Sequence, residues 1–187
     1  LDLYERAQRG RDGGTLRWRI EHAQHLHPID VPRFAKLGVI ASMQGVHASS
    51  DGPWVPKRLG EPRAGERTYV WRSLIDSGAL VSNGTDVPVE DIDPLASFRA
   101  SVTREMVNGQ RFHPEQNMTR QEALASYTWN NAYAGFEEDL KGSLAPGKLA
   151  DFVVLDRDIL RVPDADLAAA QVLHTVLAGR VVYSRAP

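Results

Sequence analysis

The feature that most limits what this chain can fold into is an alternation. Three short β-favouring runs, "TLRWRIEH" (15–22), "VIASMQ" (39–44) and "LVSNGTD" (80–86), are separated by segments with helical spacing. The second run is nearly all apolar, as expected of a strand buried on both faces. Strand and helix in alternation imply parallel strands joined by helical crossovers. In a parallel sheet or barrel the carboxyl ends of the strands lie on one rim. His22 closes the first run, His47 follows the second and Asp86 closes the third. Residues far apart in sequence are therefore expected to converge there.

Local signals fill in the elements. Leu1, Leu3, Tyr4 and Ala7 fit one face of a helix stopped at Gly10, and "RDGG" reads as a turn. "HPIDVPRFAKLG" (27–38) predicts a short helix with Asp30 as cap and Gly38 as stop. Residues 48–66, rich in Pro, Gly and charge, read as a long loop. Trp54 and Arg58 within it either cover a substrate or are simply solvated. "RTYVWRSLIDSGA" (67–79) restores helical spacing, with Tyr69, Leu74 and Ile75 facing inward. Asp93 before Pro94 opens another helix, and Thr119 to Glu122 forms a capping box before the next. In the tail, "GSLAPGKLADFVVLDRD" (142–158) is turn then strand, and "VLHTVLAGRVVYS" (172–184) is a hairpin broken at Ala178-Gly179. A boundary is expected between Gly135 and Lys141, dividing the chain into 1–137 and 138–187.

Composition then narrows the chemistry. With no cysteine, disulfides, thiolate metal sites and cysteine nucleophiles are excluded. Any metal would be held by His, Asp, Glu or a modified Lys, a set that suits zinc, manganese or iron. A net charge of −2 gives no basic field for nucleic acid or an anionic membrane. No apolar run approaches the roughly 18 residues of a membrane span. The N-terminus is charged and amphipathic, unlike a secretory leader, which leans towards a cytoplasmic protein. An imidazole and a carboxylate on one rim make half of a zinc or binuclear site. A metal there brings the pKa of bound water near neutrality. Asp86 could bind it through one oxygen, take the water's proton with the other and return it to a leaving nitrogen.

Spacing alone leaves His22 open between a metal ligand and a surface histidine. His47 reads as substrate-facing, as support behind the ligands, or as plain loop. Asp86 could be a turn residue before Pro88, yet a carboxylate directly after an apolar strand is the stronger functional candidate. His25 and His27 flank a turn and are expected in solvent. His113 precedes Pro114 in a loop, His174 belongs to the tail hairpin, and Glu21 is expected in a strand-end salt bridge.

Four segments, in order, resemble a known family. "RIEHAQ" (19–24), "GVIASMQGVHASSD" (38–51), "WRSLIDSGALVSNGTDVPV" (71–89) and "GSLAPGKLADFVVLDRD" (142–158) are similar to the C-terminal part of the amidohydrolase superfamily. The nearest subgroup is amidohydrolase-3, which includes N-substituted formamide deformylases. The resemblance implies a (β/α)8 barrel with a small β-sandwich built from both chain ends. It implies a metal, usually zinc, and hydrolysis of C–N bonds other than peptide bonds in a small-molecule amide-type substrate. His22 matches the metal ligand closing strand six, and Asp86 the metal-binding acid/base closing strand eight. His47 matches a polar, substrate-facing position after strand seven. Gly142 to Asp156 matches the structural return into the sandwich. Where many relatives have Gln-Pro, this chain has Gln44-Gly45, expected to loosen that turn.

The family's ligands from strands one, four and five have no counterpart here. A complete barrel takes about 250 residues. The α/β chain is therefore expected to be the C-terminal part of a TIM barrel, strands six to eight with their helices, followed by part of the sandwich. The remaining ligands would lie outside it, on the earlier strands of a longer enzyme or on a separate complementing N-terminal segment; alone it would be inactive, and a homo-oligomer is a further candidate partner. The rival expectation is a non-catalytic module that pairs its open sheet edges with another chain.

Overall fold

β1 (Arg19–Glu21), β2 (Ile40–Gln44) and β3 (Val81–Gly84) lie side by side in one direction, in the order β1-β2-β3. The computed structural model describes residues 1–186. Ile20, Ala41 and Val81 share one row of the register; Glu21, Ser42 and Ser82 share the next. Successive strand residues face opposite sides, so the two sides of the sheet differ in character. The apolar row belongs to the core with Phe34, Trp71, Leu74, Phe98 and Met118. In the polar row, Glu21 accepts from Ser42 Oγ at 2.7 Å and pairs with Arg19, as expected. Burial pushes the Glu21 carboxyl up, but the bonds from Ser42 and Arg19 hold it below its ordinary range.

Helices supply the crossovers. α1 (Asp2–Gln8) and α2 (Gly13–Leu16) precede β1, and α3 (Val31–Leu37) joins β1 to β2. α4 (Gly45–Asp51), α5 (Val55–Leu59), α6 (Glu61–Arg67) and α7 (Trp71–Asp76) join β2 to β3. α8 (Pro94–Thr103), α9 (Arg120–Tyr127) and α10 (Trp129–Ala134) follow. The strong local signals hold. α3 stops at Gly38, with φ 60°. Asp93 accepts from the amides of Leu95 and Ala96 at 2.9 and 3.1 Å. Thr119 and Glu122 form the reciprocal capping box. Glu122 also pairs with Arg72, whose hydrogen bond outweighs burial and holds the carboxyl at about 2.

Several local readings are corrected. Residues 48–66 are not a loop but the end of α4 followed by α5 and α6. Pro56 and Pro62 sit in the first turns of their helices, where a missing N–H costs nothing. "RDGG" opens α2, with Asp12 Oδ1 accepting from Gly14 N at 2.9 Å, so β1 starts only at Arg19. Asp30 takes the N-cap position of α3 as expected, but its side chain makes no capping bond; it closes a 3₁₀ turn, Pro28–Asp30, and its carboxylate holds Arg33 at 2.7 Å. Tyr69 is buried but precedes α7, with φ 52°; Leu74 is fully buried and Ile75 partly so. Gly45 loosens nothing: it is the first residue of α4, and a Cβ there would lie 2.1 Å from Ser101 Oγ and 2.6 Å from Ser97 O.

The tail forms a separate antiparallel sheet in the order β4-β5-β6, from β4 (Phe152–Leu155), β5 (Val172–Leu177) and β6 (Arg180–Ser184), with α11 (Asp164–Leu167) between β4 and β5. Ala178 and Gly179, with φ 48° and 75°, make the expected hairpin turn. Apolar strand residues stay open to solvent, Val153 at 52% and Val182 at 58% exposure. Among the described residues no helix is long and apolar enough to cross a membrane.

Two outcomes follow from this packing. Gly45→Ala forces a methyl against the α8 backbone and should cost about 1–3 kcal/mol in urea unfolding. Glu122 has a depressed folded pKa, so its contribution is complete above the ordinary value of 4.5 and is lost as pH falls towards about 2. Urea midpoints measured from neutral pH down to about pH 3 should fall less steeply in Glu122→Gln than in the parent chain.

Candidate metal centre

The segments leaving the three strands bring three donors to one place. His22 follows β1 directly, with φ 66°, and Ala23 follows at φ 38°. Left-handed backbone costs non-glycine residues about 1–3 kcal/mol and persists where surrounding structure enforces it. Here the Ala23 side chain is buried, and its N–H donates to Glu21 O at 2.9 Å. The chain thus turns sharply off the strand at His22.

At β2 the strand passes straight into α4, with Gln44 as N-cap and His47 the third helical residue. His47 is therefore not at a strand end or in a loop but on the first turn of a helix. Its side chain is 9% exposed, and its Nε2 is buried without a hydrogen-bond partner. Asp86 lies two residues past β3, with φ 62°, in a turn closed by Val89 N donating to Asp86 O at 2.8 Å.

Asp86 Oδ2 lies 3.6 Å from His47 Nε2 and 4.0 Å from His22 Nδ1. The two imidazoles lie 6.0 Å apart, nearly parallel at 16°. One donor atom from each residue falls within 4.8 Å of the others. These separations exceed hydrogen bonds. Donors of one tetrahedral zinc, each about 2.0–2.2 Å from the ion, stand roughly 3.3–3.6 Å apart. The trio's donor atoms, within 4.8 Å of one another, stand wider than that, and their neutral-nitrogen and carboxylate chemistry suits a divalent cation. A buried nitrogen without a partner is costly. His47 Nε2 fits a site whose partner arrives with the ligand.

Neighbouring groups hold the donors. Gln44 Oε1 lies 3.0 Å from His22 Nδ1, placed to accept that nitrogen's N–H, which leaves Nε2 as the ring nitrogen with a lone pair for a metal. Asp51, four residues after His47, accepts from Gln24 Nε2 at 2.9 Å and Tyr69 OH at 2.8 Å. It thereby ties the far end of α4 to the segment leaving His22. Burial and the Asp51 carboxylate both push the Tyr69 phenol up, keeping it a donor. The backbone at Tyr69 is anchored by buried Arg104, whose Nη1 donates to Tyr69 O at 2.9 Å while its guanidinium stacks 4.5 Å above Trp71. Sequence reasoning missed Gln44, Gln24, Asp51 and Tyr69 as site supports. The one available signal was the amide ending an otherwise apolar run.

The other candidates lie apart from the trio's contacts. His25 is exposed, with Nδ1 3.1 Å from Thr68 Oγ1. His27 is exposed and accepts from Ile29 N at 3.3 Å. His113 pairs with Glu115 at 3.2 Å, and His174 bonds Ser184 at 3.0 Å. Trp54 is 62% exposed with the Lys57 ammonium 4.8 Å from its ring centre, and Arg58 is exposed on α5.

Residues 1–183 match the model of the amidohydrolase family, in its amidohydrolase-3 subgroup. The chain belongs to that family. It is 39% identical over 184 residues to Protein LONG AFTER FAR-RED 3 of Arabidopsis thaliana, covering 98% of this chain and 31% of that protein. It is 32% identical over 185 residues to an N-substituted formamide deformylase of Arthrobacter pascens, covering 99% of this chain and 34% of that enzyme. Among solved structures it is similar to an uncharacterized metal-dependent hydrolase from Pyrococcus horikoshii, with TM-score 0.69 and 31% identity over 79% of this chain and 30% of that one. The chain thus spans about a third of the length of the curated relatives it matches.

Proposed function

We propose that this chain supplies part of the metal site and the proton-transfer group of a metal-dependent hydrolase acting on C–N bonds other than peptide bonds. The substrate class is a small amide or formamide. The observation that carries the reading is the convergence of His22 and Asp86, just past β1 and β3, with His47 on the first turn of α4 beyond β2: Asp86 Oδ2 lies 3.6 Å from His47 Nε2 and 4.0 Å from His22 Nδ1. On this reading β1 to β3 are strands six to eight of a TIM barrel formed with residues outside this chain. Residues 1–137 belong to that barrel and 138–187 to a small β-sandwich, whose exposed strand residues another segment covers. Family membership, the parallel order of the first sheet and the antiparallel tail support it. The setting we assign is the cytoplasm.

His22 and Asp86 would hold the ion, zinc or another divalent metal, completed by ligands from outside the chain. When bound, the metal supplies Lewis-acid polarisation and lowers the pKa of water. One Asp86 oxygen would serve the ion and the other would be left for proton transfer. That oxygen accepts the proton of the attacking water and returns it to the leaving nitrogen. His47, with its buried Nε2 aimed at Asp86, meets the substrate oxygen. Gln44 orients the His22 ring.

A second reading is favoured by Leu144, Val153 and Val182, exposed at 78%, 52% and 58%. Here the chain pairs its open strands with another polypeptide and performs no chemistry.

Calorimetric titration of Zn²⁺ into the 187-residue chain separates the two. One site is expected, weakened about tenfold or more by His22→Ala and by Asp86→Ala, and little changed by His47→Ala. No turnover of N-substituted formamides is expected from this chain alone. Stoichiometric tight zinc with turnover would contradict the need for outside ligands. Concentration-dependent assembly without zinc binding would favour the second reading.

A further inference from the structure

Ser97, on α8, is fully buried between two of the strand ends. Its Oγ lies 3.2 Å from Val46 N, the residue before His47. The same atom lies 3.2 Å from Gly84 O, two residues before Asp86. Tyr127 OH is 2.6 Å away on a third side. A hydroxyl has one proton and two acceptor sites. Ser97 donates to Gly84 O, and accepts from the Val46 amide and the Tyr127 phenol. Burial pushes the Tyr127 phenol up to about 12, so it remains a donor. Every bonding position of this oxygen is filled, which leaves the side chain one orientation.

The surrounding packing serves the same approach. The missing side chain at Gly45 lets α4 come against α8, where a Cβ would meet Ser97 O at 2.6 Å. Gln44, at the same end of α4, holds His22. The start of α4 is therefore bonded to the His22 ring on one side and, through Ser97, to the strand leading to Asp86 on the other.

We propose that Ser97 is a positioning residue that sets the distance between Asp86 and the two histidines, and so the affinity of the centre for its metal. It touches no donor atom; it acts on the backbone that carries them. The proposal rests on the metal reading above. It differs from a simple packing role because Ser101, one turn along α8, is equally buried and bonds Ser97 O at 3.0 Å and Tyr127 OH at 3.3 Å. Ser101 thus shares the cluster without linking the two strand ends through its hydroxyl.

The test compares Ser97→Ala with Ser101→Ala in Zn²⁺ titrations of the 187-residue chain, with urea stability measured in parallel. Ser97→Ala should weaken Zn²⁺ binding about 10- to 100-fold, the range seen when groups behind metal ligands are removed. It should also alter the visible spectrum of the Co²⁺-loaded chain. Ser101→Ala should leave binding and spectrum unchanged even where it loses similar stability. Parent-like binding in Ser97→Ala, or equal weakening in both variants, would overturn the proposal. If His22→Ala and Asp86→Ala leave binding intact, the metal reading itself fails, a distinct result. Should Ser97→Ala not fold, hydrogen exchange at the Val46 amide of the parent chain decides. Zn²⁺ should slow it about tenfold or more, because coupling between bracket and ion is reciprocal; no change overturns the idea.

Discussion

Parallel pairing of β1 and β3 on either side of β2 is the constraint on which the rest depends. Antiparallel strands would send alternate ends to opposite sides of the sheet. Three strands in one direction send all their carboxyl ends to one side. Side-chain alternation then gives the sheet an apolar side towards the helices and a polar side bearing Glu21, Ser42 and Ser82. The register does the remaining work: β2 and β3 end on one row, with Gln44 beside Gly84, and β1 ends two rows earlier, with Glu21 beside Ser42.

From these ends the chain leaves in three different ways. It turns through two left-handed residues at His22, enters a helix at Gly45 and makes a tight turn at Asp86. None of these exits would by itself hold a donor still. Hydrogen bonds from Gln44, Asp51 and Ser97 connect them, and all three bridges run to or from α4. That short helix is the hub of the centre. Its close approach to α8 explains why the smallest residue stands at its start.

How much of this was readable beforehand depends on how far each signal reaches. The strands, the Asp93-Pro94 helix start and the Thr119–Glu122 capping box were legible because their causes lie within four residues. Residues 48–66 were misread because proline in a loop and proline in the first turn of a helix look alike in sequence. Once that segment was read as loop, the one-turn spacing of His47 and Asp51 was invisible. The strand ends at His22 and Asp86 were legible as candidates from alternation alone. Their supports were not, because the partners are remote: Gln44 and His22 are 22 residues apart, Val46 and Ser97 51. The burial of His47 was likewise hidden, since it depends on α4 packing beneath the rim rather than on neighbouring residues.

The tail shows the same limit from the other side. Its hairpin was readable from Ala178-Gly179, but the exposure of the apolar strand residues around it was not, because strand spacing does not tell whether a second layer packs on a sheet face. The chain spans about a third of the length of its curated relatives.

The most direct test of the account is a crystal of this chain grown with Zn²⁺ and measured on both sides of the zinc absorption edge. A single anomalous peak about 2.0–2.2 Å from a ring nitrogen of His22 and an oxygen of Asp86 is the expected result. A peak elsewhere, or none with both residues ordered, would contradict the claim that parallel strand ends build a metal centre here.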